Sequence, residues 1–334
     1  MDIFTTGKMI KAVKKYTLIL LLSLGVKGYA QQGIQFSQYA FTGLTVNPAY
    51  AGYKEDWTLN MVSRLQWTGI PGAPKTGAVS IDGLTDDIYK NVGLGAVVTA
   101  DQLGPQTTSS AYANYAYRLQ LDDEDTRRLS FGIGFGVSQY SVDESKFQAT
   151  DINDPGIGAG NISKLSPDFR FGVFYNSPTF YIGASALNIL ADANFKDNAA
   201  VVRESRTFYL TAGYMMPLTG SLDWKPSILI KEDLKGPTNV DLSTNFLLGK
   251  TLWLGASYRT GVPTFSKTAL QTSLSHYDAI SGIVQYYVSD RFRIGYSYDV
   301  NMNKLASYSN GTHELSLGIS FSRRKERILS PRYF

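Results

Sequence analysis

The sequence predicts an all-β fold, a closed antiparallel transmembrane β-barrel of about fourteen strands, and three observations carry that expectation. Its 334 residues include 22 Tyr, 17 Phe and 31 Gly, with a mean hydropathy of only −0.13. Beyond residue 30 no apolar stretch approaches the ~20 residues that a membrane-spanning helix needs. Apolar and polar residues alternate instead, as they do in strands with one face toward hydrocarbon, and the segments between strands are alternately long and short.

Residues 1–30 read as a signal peptide. Lys8, Lys11, Lys14 and Lys15 precede an apolar run from Leu18 to Val26, and Gly28-Tyr29-Ala30 forms a small-residue cleavage site before Gln31. That segment holds five Lys against Asp2 alone, so the processed chain has 27 basic and 27 acidic side chains and is neutral. Residues 31–55 are an irregular lead-in, either periplasmic or a plug. Residues 56–322 form the barrel, and 323–334 a C-terminal tail.

The first strand is the plainest. In 56–69, Trp57, Leu59, Met61, Leu65 and Trp67 oppose Thr58, Asn60, Arg64, Gln66 and Thr68. Ten residues between the two tryptophans span ~34 Å along a strand. A ~40° tilt projects this to roughly 25 Å, the height of the apolar band between aromatic girdles. In 106–121, Tyr115, Tyr117, Leu119 and Leu121 oppose Tyr112, Asn114, Arg118 and Gln120. In 128–141, Leu129, Phe131, Ile133, Phe135 and Val137 oppose Ser130, Gly132, Gly134, Gly136 and Ser138. A glycine row weakens a strand unless other backbone approaches it closely, so the lead-in is expected to pack Phe36, Tyr39, Pro48 and Tyr50 against this row. The remaining strands centre near residues 79, 96, 171, 184, 211, 228, 244, 256, 284, 296 and 317. Long polar connections follow at 143–166, 190–205, 260–278 and 301–312. Tight turns fall at Asn176-Ser177-Pro178, Thr219-Gly220, Gly249-Lys250 and Ser289-Asp290.

Composition removes several functional classes. The chain has no Cys and two His, His276 and His313, which argues against disulfides, thiol chemistry and a histidine-rich metal centre, and no cofactor is expected. Nucleic acid is not an expected partner, because the only basic run is Arg323-Arg324-Lys325-Glu326-Arg327. His313, Glu314 and Ser316 contain the residue types of an outer-membrane lipase, but His313 and Ser316 point to opposite faces of one strand, so no enzyme activity is expected. Asp143, Glu144, Asp151, Asp154 and Asp168 match no defined calcium loop.

At QFSQYAFTGLTVNPAYAG, residues 35–52, the chain resembles the N-terminal signature of the PorP/SprF family of the type IX secretion and gliding-motility apparatus. SRLQWTG at 63–69, KTGAVSIDG at 75–83, NYAYRL at 114–119, KPSILIK at 225–231, WLGASYRTG at 253–261, IGYSYD at 294–299 and THELSLG at 312–318 extend the resemblance along the chain. The resemblance implies an integral outer-membrane barrel of a Gram-negative bacterium. Its expected partners are other type IX secretion components, outer-membrane lipid and the C-terminal region of an exported surface protein, which it binds or anchors without catalysis. An outer-membrane channel or hydrophobic-solute transporter is the alternative. One departure from many barrels is the tail SRRKERILSPRYF, which separates Phe321 from the terminal Tyr333-Phe334.

Three sets of candidate residues follow. Phe147, Phe195 and Phe265, on the long connections, are candidate partner contacts. Phe36, Tyr39, Asn47, Pro48, Tyr50 and Gly52, with Gly132, Gly134 and Gly136, make up the plug or family motif. Arg64, Arg118, Arg259, Arg293 and Asp299 are expected in the lumen, with Asp168, Arg170, Lys231, Asp241 and Glu314. Both signs occur there, which suits internal ion pairs better than a selective ring.

Overall fold

A computed structural model describes residues 33–321, except 87, 147–159, 192–203, 263 and 265–278. Strands β1 (Thr58–Leu65), β2 (Lys75–Leu84), β3 (Val92–Leu103), β4 (Gln106–Gln120), β5 (Arg128–Asp143), β6 (Asn161–Asn176) and β7 (Phe180–Leu187) are followed by β8 (Thr207–Tyr214) and β9 (Met216–Thr219). Next come β10 (Leu222–Glu232), β11 (Thr238–Leu248), β12 (Leu252–Val262), β13 (Ala279–Tyr287), β14 (Phe292–Asn301) and β15 (Thr312–Ser320). Both β8 and β9 pair with β10, so they are two parts of one strand interrupted at Met215, and the barrel has fourteen strands. Every expected centre falls within a strand. The interruption was not legible, because Met215 keeps the inward phase of Thr207, Tyr209, Thr211 and Gly213 and packs on Phe41, Leu247 and Trp253.

Each strand pairs antiparallel with its sequence neighbour, and β1 pairs with β15 from Thr58↔Ser320 to Leu65↔His313, which closes the sheet. Closure removes the free edges that hydrocarbon cannot solvate. Alternation decides which residues face which medium. Along β5, Phe131, Ile133 and Phe135 are exposed on the outer wall, whereas Ser130, Gly132 and Gly134 are buried inside. Trp57, Tyr117, Tyr214 and Tyr286 form an outward aromatic girdle at the end with short turns. At that end lie the connections 85–91, 121–127, 177–179, 220–221, 249–251 and 288–291. The opposite end carries 66–74, 104–105, 144–160, 188–206, 233–237, 263–278 and 302–311.

The tryptophan spacing needs correction. Strand β1 ends at Leu65, and Trp67 leaves the sheet with φ of +50°. The cause lies in the facing loop: Thr68 donates to Gly311 O at 2.9 Å and accepts from Asn310 N at 2.8 Å, which draws residues 66–69 toward the β14–β15 connection. Of the two tryptophans, Trp57 marks the girdle and Trp67 does not. The Trp57 indole packs on Gly83, and its Nε1 donates to Leu84 O at 3.0 Å.

Candidate functional site

The lead-in lies inside the cylinder. Short 3-10 turns at Tyr39–Phe41, Gly43–Thr45 and Pro48–Tyr50 fold residues 33–55 into a compact thread, because a chain without a sheet partner must meet its own backbone needs locally. Asn47 caps the third turn by accepting from Ala49 N at 2.9 Å, and Pro48 sits at its first position. The thread runs from the long-loop end, where Lys231 Nζ donates to Gly33 O, to the short-turn end, where Gly52 N donates to Asp82 Oδ2 at 3.1 Å.

Glycines on the inner wall receive the thread. A β-carbon on Gly132 would overlap the backbone of Pro48 and Ala49, and one on Gly93 would overlap that of Ala51. Gly172 and Gly183 face the Asn47 amide, whose Nδ2 donates to Val173 O at 3.1 Å and Ala184 O at 3.4 Å. Of the expected row on β5, only Gly132 meets the thread. Gly134 lies under Asn114 and Arg170, and Gly136 under the Tyr112 ring, since larger side chains of β4 and β6 reach them first. Gly52 makes the exit turn at φ +75°, a conformation that costs glycine nothing.

The thread's aromatic residues take separate niches. Phe36 packs with Val62 and Ala78, and Tyr39 with Val46, Leu187, Tyr209 and Leu229. Tyr39 Oη bonds the Ser227 hydroxyl at 3.0 Å. Tyr50, Tyr53, Phe174 and Tyr181 form a ring cluster with centroids 5.0–6.5 Å apart. Phe41, missed in the sequence because its partners lie on distant strands, stacks edge-on against Trp253 at 6.2 Å, with the Arg293 guanidinium 4.6 Å over its ring.

The lumen charges face inward and are buried. Arg64 pairs with Asp299 at 2.7 Å and Glu314 at 2.9 Å, and Arg259 with Asp241 at 2.7 Å. Arg293 donates to Asn60 Oδ1 at 3.1 Å. Arg118 donates to Lys90 O at 3.3 Å, and the Arg170 guanidinium lies 3.4 Å over the Tyr112 ring. Buried charge is tolerable only when hydrogen-bonded, and the thread supplies several of the partners.

Other candidates are also placed. His313 faces outward and bonds the Tyr296 hydroxyl at 2.7 Å, while Ser316 faces inward and donates to Gln38 Oε1 at 2.7 Å, so the two share no site. Asp168 accepts from Tyr112 Oη and Leu190 N, apart from Asp143, which bonds Ser145. Among the described residues no acidic or histidine cluster is arranged to hold a metal. Phe147, Phe195, Phe265, His276, Asp151, Asp154 and residues 322–334 lie outside the described residues. At the long-loop rim, Gly69-Ile70-Pro71-Gly72 with Gln102 and Gly104 line a cleft of about 380 Å³.

A closed barrel with an apolar outer wall, an aromatic girdle and a chain segment threaded through its interior is an integral outer-membrane protein. Residues 28–319 match the family described as type IX secretion system membrane protein PorP/SprF, and the chain belongs to that family. Among solved structures, its fold is similar to that of the KdgM porin, with 8% identity over 79% of this chain and 99% of that one and a TM-score of 0.38. It is also similar to the CymD monoaromatic hydrocarbon channel (11% identity, 85% and 93% coverage, TM-score 0.49). A Pseudomonas aeruginosa FadL homologue matches with 10% identity, 85% and 94% coverage and a TM-score of 0.43. No curated protein matches the chain.

Proposed function

We propose that this barrel is a non-catalytic anchor of the type IX secretion apparatus, which holds exported proteins at the cell surface through its long-loop end. The observation that supports this reading best is the threaded lumen. Residues 33–55 occupy the space a solute would cross, and they are bonded to strands on every side. A wall filled in this way suits a fixed platform. The loops that differ most in length share one end, where a rigid scaffold can present them to a partner.

On this reading the C-terminal region of an exported protein rests on the connections containing Phe147, Phe195 and Phe265. Replacing those three connections with short turns, in a barrel that still folds, should move the exported protein from the cell surface into the medium. Unchanged retention would overturn the proposal, and solute uptake by purified barrel in vesicles would favour the transporter reading.

A further inference from the structure

The thread does not touch the wall evenly. Ser37 and Gln38 together reach five strands, β1 and β12 through β15, and the charged contacts concentrate on the pair that closes the barrel. Across that seam Arg64 and Glu314 stand directly opposite in register and form an ion pair at 2.9 Å, with both side chains almost fully buried. Glu314 is completed by the thread. Its Oε2 accepts Ser37 N–H at 2.9 Å, and its Oε1 accepts Gln38 N–H at 2.9 Å. Ser37 Oγ accepts from Arg64 Nη1 at 2.9 Å and donates to Asp299 Oδ2 at 2.7 Å. Gln38 Oε1 accepts from Ser316 Oγ at 2.7 Å and from Gln285 Nε2 at 2.8 Å.

From this arrangement we infer that the Ser37–Gln38 dipeptide is the clasp of barrel closure, an intramolecular ligand that locks β15 onto β1 through the Glu314 carboxylate. Two successive backbone N–H groups form a concavity suited to an anion, and a carboxylate they hold makes strong charge-assisted bonds. The seam is where such a ligand matters most. With β8 and β9 counted as one strand, all other neighbouring strands are consecutive in the chain, whereas β1 and β15 lie at opposite ends of it and meet at the largest loop-closure cost in the fold. With Ser37 and Gln38 absent, Glu314 Oε1 loses its donor, so filling the lumen and closing the wall are one coupled event. The inference does not depend on what the long loops hold.

The test uses the full processed protein in detergent micelles, with urea unfolding followed by loss of the compact band of the unheated sample on a gel. Gln38→Pro deletes one of the two N–H donors, and Glu314→Gln keeps the side-chain shape while removing the charge. Each is expected to unfold about tenfold faster or more, as loss of a charge-assisted bond implies. The chain has no Cys, so single bridges can be introduced cleanly. Thr58→Cys with Ser320→Cys spans the seam, and Ser257→Cys with Ser281→Cys spans β12 and β13. The seam bridge should return the variants to within about threefold of the bridged parent, and the β12–β13 bridge should leave them fast. Rescue by both bridges or by neither, or an unchanged rate in Glu314→Gln, would overturn the clasp. Should Gln38→Pro not fold, Glu314→Gln with the two bridges decides the question alone.

Discussion

Gly132→Ala is the smallest change that asks whether the thread is seated against the wall. The added methyl would come within 3.0 Å of Ala49 N, Ala49 Cα and Pro48 C, all backbone atoms, so no rotamer relieves it. The thread must therefore lift at Pro48–Ala49. Lifting removes the two bonds from Asn47 to Val173 O and Ala184 O, about 1 kcal/mol each. Overpacking adds about 1–3 kcal/mol, for a total near 3–5 kcal/mol. Gly282→Ala is the control: it lies on the outer wall of β13 with nothing within 4 Å of a β-carbon, and it should be neutral or slightly stabilising. Equilibrium urea unfolding in micelles, read by tryptophan fluorescence, measures both. Repeating the pair in a chain lacking residues 33–50 should erase the difference. Equal stability of the two variants in the full chain, or a difference that survives the deletion, would refute the reasoning.

Other perturbations follow from the same contacts. Arg64→Met leaves Glu314 buried without its cation and Asp299 with only the more distant Arg259 at 3.8 Å, and unfolding in urea should show a loss of about 3–5 kcal/mol. Arg128 donates to Lys90 O, Asn91 Oδ1 and Tyr89 O at 2.9–3.2 Å, so Arg128→Met should release the 85–91 connection, seen as faster amide exchange at residues 88–91 with the barrel band unchanged. In the β4–β5 turn, the Thr126 hydroxyl and the Arg127 N–H hold the Asp122 carboxyl below its usual range. A lowered folded pKa stabilises the turn above the unfolded value, and the gain is lost as pH falls through the folded one. Asp122→Ala should therefore speed amide exchange at Thr126 and Arg127 at neutral pH, and the difference should vanish in acid below the ordinary aspartate range.

The strands were legible because a membrane imposes strict alternation on every one of them, and Phe131, Ile133 and Phe135 declare their face without help from the rest of the chain. What alternation cannot show is which inward residue meets which across the lumen. The row Gly132, Gly134 and Gly136 signalled close approach, yet two of its members are covered by neighbouring strands, and the isolated Gly93, Gly172 and Gly183 take the thread instead. Their role depends on sites up to a hundred residues and more away. Likewise Ser37 and Gln38 carry no periodic signal, and only the meeting of β1 with β15 gives them partners. Trp67 misled for a related reason, since its departure from β1 is set by Gly311 and Asn310.

The central claim, a lumen occupied by its own N-terminal segment, is tested most directly by planar-bilayer recording on the purified full chain and on a chain lacking residues 33–50. A lumen filled by residues 33–55 gives no steady conductance from the former and a stable ion current from the latter. A large, steady current through the full chain would contradict it.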